Sequence, residues 1–144
     1  MTDTERALGR RWFEEVWNKA RREAIVEMIT ANSVIHDGDT ETVGPAGFYG
    51  FYDRIRSAFP EIHITVDDTF SEADKICVRW TCTAAHTGVG LGFPATNRIA
   101  SFTGMCILRV SDGKIAEAWQ NWDMLGMIEQ LKGTRTTTTY IGAR

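Results

Sequence analysis

Residues 99–123 read IASFTGMCILRVSDGKIAEAWQNWD, and the way this stretch folds back on itself decides the architecture. Apolar and polar residues alternate on both sides of Ser111-Asp112-Gly113, which is the pattern of a half-buried β-hairpin. Asp-Gly permits a two-residue loop. Ser-Asp-Gly also suits a three-residue loop with Gly113 in the left-handed bulge position. The longer loop pairs Met105 with Trp119, Thr103 with Asn121 and Ser101 with Asp123. It gathers Phe102, Cys106, Leu108, Val110, Ala116, Ala118 and Trp122 on one face. The shorter loop mixes these sets, and mixed faces are costly, so the spacing predicts the three-residue loop.

Outward from the hairpin, Ile62, Ile64 and Val66 alternate with His63, Thr65 and Asp67, and Lys75–His86 is rich in β-branched and aromatic residues. Gly88–Asn97 forms a long loop before the hairpin. The first half has helical spacing instead. Leu8, Trp12, Phe13, Val16 and Trp17 predict a helix over 5–20, Ile25, Met28 and Ile29 a short one over 22–29, and Gly44-Pro45 opens a third that Pro60 stops. Met124–Leu131 closes the chain as a short helix, and the tail Thr134–Arg144 could fray or add an edge strand. Helices first and antiparallel strands afterwards predict an α+β fold, with helices on one face of a curved sheet.

The 144 residues suit one domain spanning 1–144. A net charge of −3 argues against a protein built to grip nucleic acid. No apolar run approaches the roughly 20 residues needed to cross a bilayer, and MTDTERALGRR lacks a signal-peptide core, so a soluble, cytoplasmic chain is expected. Cys77, Cys82 and Cys106 are odd in number and lack CxxC spacing, which argues against a disulfide framework or a zinc knuckle.

Gly88-Val89-Gly90-Leu91-Gly92 runs into Phe93-Pro94 rather than a helix and fails the context of a dinucleotide fingerprint. No GxSxG, P-loop or HExxH is present, and His36, His63 and His86 sit on separate elements, so no metal site or cofactor is expected. Asp123 is the sharpest carboxylate. With Trp119 and Asn121 on its face and Trp122 beside it, it would be desolvated and suited to proton transfer. It could instead N-cap the helix that starts at Met124, the role its local sequence favours. Five tryptophans are generous for this length; Trp12 and Trp17 suit core packing or a pocket for a flat ligand.

These stretches resemble a known family. Arg11-Trp12-Phe13-Glu14-Glu15-Val16-Trp17-Asn18, Val34-Ile35-His36-Asp37, Ala58-Phe59-Pro60, Arg79-Trp80, His86-Thr87-Gly88 and RVSDGKIAEAWQNWD (109–123) are similar to SnoaL-like polyketide (ester) cyclases of the NTF2-like, ketosteroid-isomerase-like superfamily. The resemblance implies a cone-shaped curved sheet and helices around a deep pocket, in a dimer or higher oligomer. It implies a cofactor-free aldol ring closure with Asp123 as general acid/base on an apolar or aromatic small molecule. Trp12, Trp17, His36, Met105, Trp119 and Asn121 are then expected to bind that substrate. The chain departs from the pattern at Met105, Ile107 and Arg109, where the family's cyclases carry polar Gln and His. The alternatives are a ketosteroid-isomerase-like isomerase using a carboxylate such as Asp37 near the pocket mouth, or a non-catalytic binder of apolar small molecules. A homo-oligomer is expected to bury the Phe102, Leu108, Trp122 face, on the premise that the helices cover the Asp123 side.

Overall fold

The computed structural model describes residues 1–134; the tail expected to fray or form an edge strand lies, from position 135, outside the described residues. Six strands form one sheet in the order β2-β1-β6-β5-β4-β3. They are β1 (Ile29–Asp37), β2 (Thr40–Val43), β3 (His63–Glu72), β4 (Lys75–Ala85), β5 (Ile99–Ser111) and β6 (Lys114–Trp122). Neighbours are antiparallel except β1 and β6, which run parallel and bring the early strand beside the last one. The sheet stays open, with β2 and β3 at its edges. Bulges in β3 and β6 add local twist and bend it.

The helices are α1 (Asp3–Arg6), α2 (Leu8–Arg11), α3 (Ala24–Met28), α4 (Gly44–Ala58) and α5 (Met124–Lys132). Thr2 and Glu5 form a reciprocal capping box at the start of α1. The single helix expected over 5–20 is interrupted: Trp12–Asn18 widens into π-helical turns, with the Lys19 N–H donating to the Glu14 carbonyl five residues back at 2.8 Å. The wider turn lets Trp12, Phe13, Val16 and Trp17 all be buried. Tyr52 on α4 donates to the Val16 carbonyl at 2.7 Å, and Asn18 exchanges two 2.7 Å hydrogen bonds with the backbone of Ile64. These contacts lock the π segment between α4 and β3.

The hairpin corrects the expected register. The turn is the two-residue loop Asp112-Gly113, both at positive φ, flanked by the pair Ser111 and Lys114. A bulge then restores the faces: Val110 pairs with Ile115, but Arg109 pairs with Glu117. Met105 therefore faces Asn121, and Ile107 faces Trp119. The short loop does mix the faces, and the bulge at Ala116 repairs the mismatch, a combination the parity argument did not weigh.

The covered side of the sheet is also the reverse of the expectation. Phe102, Cys106, Leu108, Val110 and Ala118 lie in the core beneath the helices. Met105 and Ile107 on the other parity are 58% and 41% exposed. Residue parity separates two faces but does not say which one the helices cover. Here the aromatics of the π segment and α4 (Trp12, Phe13, Trp17, Phe48) pack on the Phe102 side. That face is the core and is closed to a second subunit.

Candidate active site

Three rows of side chains cross the helix-covered face. Ile35, Ala118, Leu108 and Ile76 form an apolar row. Asp37, Gln120, Cys106 and Val78 form the next, and Trp122, Gly104, Trp80 and Val66 the third. Beneath the helices these rows wall a cavity in two lobes. The first, of about 60 Å³, meets Trp12, Ile35, Asp37, Phe48 and Leu108. The second, of about 50 Å³, meets Phe59, Ile62, Trp80, Phe102 and Met127. Phe13, Trp17, Phe51 and Gln120 line both. Outside lies a basin of about 530 Å³ between the β1–β2 turn, α4 and the start of α5, lined by Asp37, Thr42, Arg54, Asn121, Trp122 and others.

Asp37 is thus shared by the inner lobe and the basin. It ends β1, where Gly38 at positive φ turns the chain into β2, and it pairs with Gln120 across the parallel ladder. Burial pushes its carboxyl above the usual carboxylate range, and the Trp122 indole partly opposes that shift. Gln120 Oε1 and Trp80 Nε1 are buried without a hydrogen-bond partner among the described residues. The thiols of Cys106 and Cys82 line the two lobes, and burial pushes both up to about 12, so neither is a thiolate at neutral pH. Among the described residues no group of three or more His, Cys, Asp and Glu side chains is placed to hold a metal.

The residues expected from the sequence divide between places. Trp12 and Trp17 line the cavity. Asn121 reaches the basin rim. Asp123, by contrast, lies past the end of β6, is exposed, and accepts the Gly126 N–H at 2.9 Å as the N-cap of α5. It lines neither lobe nor the basin, although its neighbours Trp122 and Met124 line the latter. The physical reason is the end of the strand: once β6 stops at Trp122, the free N–H groups of α5 draw the carboxylate to themselves.

His36, Met105 and Trp119 lie on the outer face, away from the cavity. His36 Nε2 and Glu117 Oε2 are 2.7 Å apart, Arg109 Nη2 donates to the other Glu117 oxygen at 3.3 Å, and Trp119 stacks on the imidazole with centroids 5.6 Å apart. The Glu117 carboxyl is held below its usual range by the His36 hydrogen bond first and by Arg109 after it. His86 is buried between Phe59 and Phe93, and its Nδ1 accepts the Thr96 N–H at 3.1 Å, pinning the loop over 88–97. Burial lowers its pKa.

Gln120, Trp80 and Phe51 went unread as site residues. Gln120 shares the parity of Ala118 and Trp122, the face expected to lie away from the helices, so the reversal of the covered side is what hid it. A Gly104 opposite Trp80 and Trp122 was the available signal for close packing on that face.

A helix-covered curved sheet around an apolar cavity, with Asp37 where the cavity meets the basin, has the architecture of the NTF2-like, ketosteroid-isomerase-like class. A protein with a ketosteroid isomerase-like fold from Catenulispora acidiphila, in complex with trimethylamine, superimposes with a TM-score of 0.72 at 13% identity, covering 87% of this chain and 92% of that one. The sequence model for the SnoaL-like polyketide cyclases matches residues 7–131, and the chain belongs to that family. It is similar to AclR of Streptomyces galilaeus, described as a hydroxylase candidate (25% identity, TM-score 0.82, 96% of this chain and 90% of that one). It is also similar to IdmH of Streptomyces antibioticus, a polyketide cyclase candidate (27% identity, TM-score 0.77, 89% and 98%). A search of the curated proteins finds no match.

Proposed function

We propose that this protein is a cofactor-independent acid/base catalyst of the cyclase/isomerase type, acting on an apolar carbonyl compound with Asp37 as the proton carrier. One observation carries the reading: the carboxyl of Asp37 stands where the apolar cavity meets the basin, and burial raises its proton affinity. A carboxylate made more basic in this way is matched to a carbon acid whose C–H is weakened by an adjacent carbonyl. Asp37 takes that proton and the C–H pair becomes an enolate. In ring closure the enolate carbon bonds to a ketone carbon of the same molecule, and the resulting alkoxide takes a proton back from Asp37. In the isomerase variant the same proton returns to a different carbon of the dienolate; the Asp37 carboxylate between lobe and basin suits this equally. The Asp123 role implied by the family competes with this assignment from the rim, between two basin-lining residues.

The test is 2,6-heptanedione in D₂O, followed for deuterium uptake beside the carbonyls and for closure to the six-membered hydroxyketone. Both are expected with the wild type and lost in Asp37→Asn. Loss in Asp123→Asn with Asp37→Asn active moves the chemistry to the rim. Binding without exchange in the wild type identifies a non-catalytic binder.

The homo-oligomer belongs to this reading on the outer face. Phe70, Cys77, Ile107 and Trp119 form one row across that face, with Met105 in the next. Phe70 is 65% exposed. A twofold contact would cover such a patch with one self-complementary surface. Light scattering of the wild type and Ile107→Glu tests it; a monomeric wild type refutes it.

A further inference from the structure

We propose that the indole N–H of Trp80 is an oxygen-recognition group in the second lobe of the cavity, taking one carbonyl oxygen of a flat, apolar substrate, while the Gln120 amide at the junction of the lobes takes a second oxygen. The inference rests on the reading of the cavity as a small-molecule site and names the chemistry that fits it.

Trp80 is 4% exposed and lines the second lobe, and its Nε1 has no partner among the described residues. An indole N–H is a donor only, so an acceptor oxygen is the one kind of group that satisfies it. Leaving it unmade costs free energy that a phenylalanine would avoid at the same site. The rest of the wall supplies an aromatic surface: Phe13 packs on Trp80 with centroids 5.8 Å apart, and Phe102 meets it edge-on at 6.3 Å.

The placement of the ring is fixed by its neighbour. A Cβ at Gly104 would lie 2.2 Å from Trp80 Cζ2 and 2.6 Å from Cε2. No real side chain tolerates that approach, so only glycine lets the nitrogen-bearing edge of the indole lie across β5. The strand thereby gives up a side chain and brings that edge over its backbone towards β6.

Gln120 complements this group. Its Oε1 is likewise buried and unpartnered, and the residue borders both lobes. Turning the amide over exchanges acceptor for donor, so Gln120 serves a hydroxyl or a carbonyl, whereas Trp80 is committed to an acceptor. Asp37 lies on the opposite side of Gln120 from the second lobe. A ligand reaching from Trp80 to Asp37 therefore carries an oxygen at its buried end, a second near its middle and the acidic carbon at its outer end. Phe51, half-buried, borders both lobes and the basin and so stands between the spaces that a ligand larger than either lobe would span.

The probes are 1-tetralone and its oxygen-free analogue tetralin, titrated calorimetrically into the whole chain. The expected result is that 1-tetralone binds roughly fivefold to tenfold more tightly, the usual worth of one net hydrogen bond. Trp80→Phe removes that preference, read as the ratio of the two affinities within the variant. In ¹⁵N-labelled wild type, 1-tetralone shifts the Trp80 indole N–H resonance downfield and tetralin does not; this readout stands even if Trp80→Phe fails to fold. Equal affinities, an unmoved resonance, no binding of the ketone, or a preference that survives Trp80→Phe each overturn the inference. Deuterium exchange that depends on Asp37 without any Trp80 effect leaves the proposed function standing and this inference refuted. A Trp80-dependent preference without exchange does the reverse.

Discussion

The two faces of the sheet handle polar groups in opposite ways. On the outer face His36, Glu117 and Arg109 satisfy one another and reach water, as do Asp67 and Thr81, 2.6 Å apart. On the inner face Asp37, Gln120 and Trp80 lie among apolar and aromatic walls, and the last two leave buried hydrogen-bonding atoms without partners. A mutually satisfied cluster at the surface stabilises weakly and can be exchanged. Unsatisfied polar atoms inside a core cost stability, and their retention fits a use on something that enters.

The contrast breaks first at Asp37. Asp37→Asn is expected to lower proton-transfer rates by about 10²–10⁴-fold, whereas Glu117→Gln on the outer face leaves them unchanged. The same Asp37 variant should gain thermal stability near neutral pH. A carboxyl with a raised folded pKa stabilises below its ordinary value and loses that contribution as pH rises through the folded value. The neutral amide escapes this penalty, so the melting difference should vanish towards pH 3. A wild type and variant that melt alike at pH 7 would show that burial does not perturb Asp37.

Packing gives the next largest effect. Phe102→Ala on the inner face should cost about 3–5 kcal/mol in urea unfolding. In the monomer, Met105→Ala, three residues along on the exposed face, should fall within about 0.5 kcal/mol. Similar costs would mean that the outer face is covered in solution.

A smaller effect separates cap from catalyst. Asp123→Ala should cost about 1 kcal/mol through the lost α5 cap, and Asp123→Asn, which still caps, almost nothing. With Asp37 carrying the proton, both keep their exchange activity. Last, acid should loosen the loop that His86 pins. The folded pKa of His86 is depressed, so its contribution is present above about 6.5 and is lost as pH falls through the folded value. Amide exchange over 88–97, taken relative to its intrinsic rate at each pH, should quicken below that range, and His86→Gln should blunt the response.

Much of the architecture was legible because periodicity reports burial locally. The apolar spacing in α4 and the strict alternation in β5 mark their elements without reference to any partner. The site was legible only in part, for three physical reasons. A turn and a bulge acted together in the hairpin, shifting every expected pair by two residues. Alternation on β5 separated two faces but was silent on which one the helices would choose. The parallel contact that sets Asp37 beside Gln120 joins residues far apart in sequence, and no local pattern encodes it. Trp12 and Trp17 were found because a helical stripe points inward whichever face it meets.

That parallel contact has a consequence for how the chain is made. β1 leaves the ribosome early and can pair at once with β2, but its other edge finds its partner only when β6 emerges about eighty residues later. At roughly 5–20 residues per second of synthesis, the edge stands open for several seconds. During that time it is a long-range contact not yet made and a bare template for other nascent strands. Its sequence suits the wait: Thr30, Asn32, Ser33, His36 and Asp37 make the strand too polar to be an attractive template. Asp37, which stands at the mouth of the cavity, thus also helps to protect the half-synthesised chain.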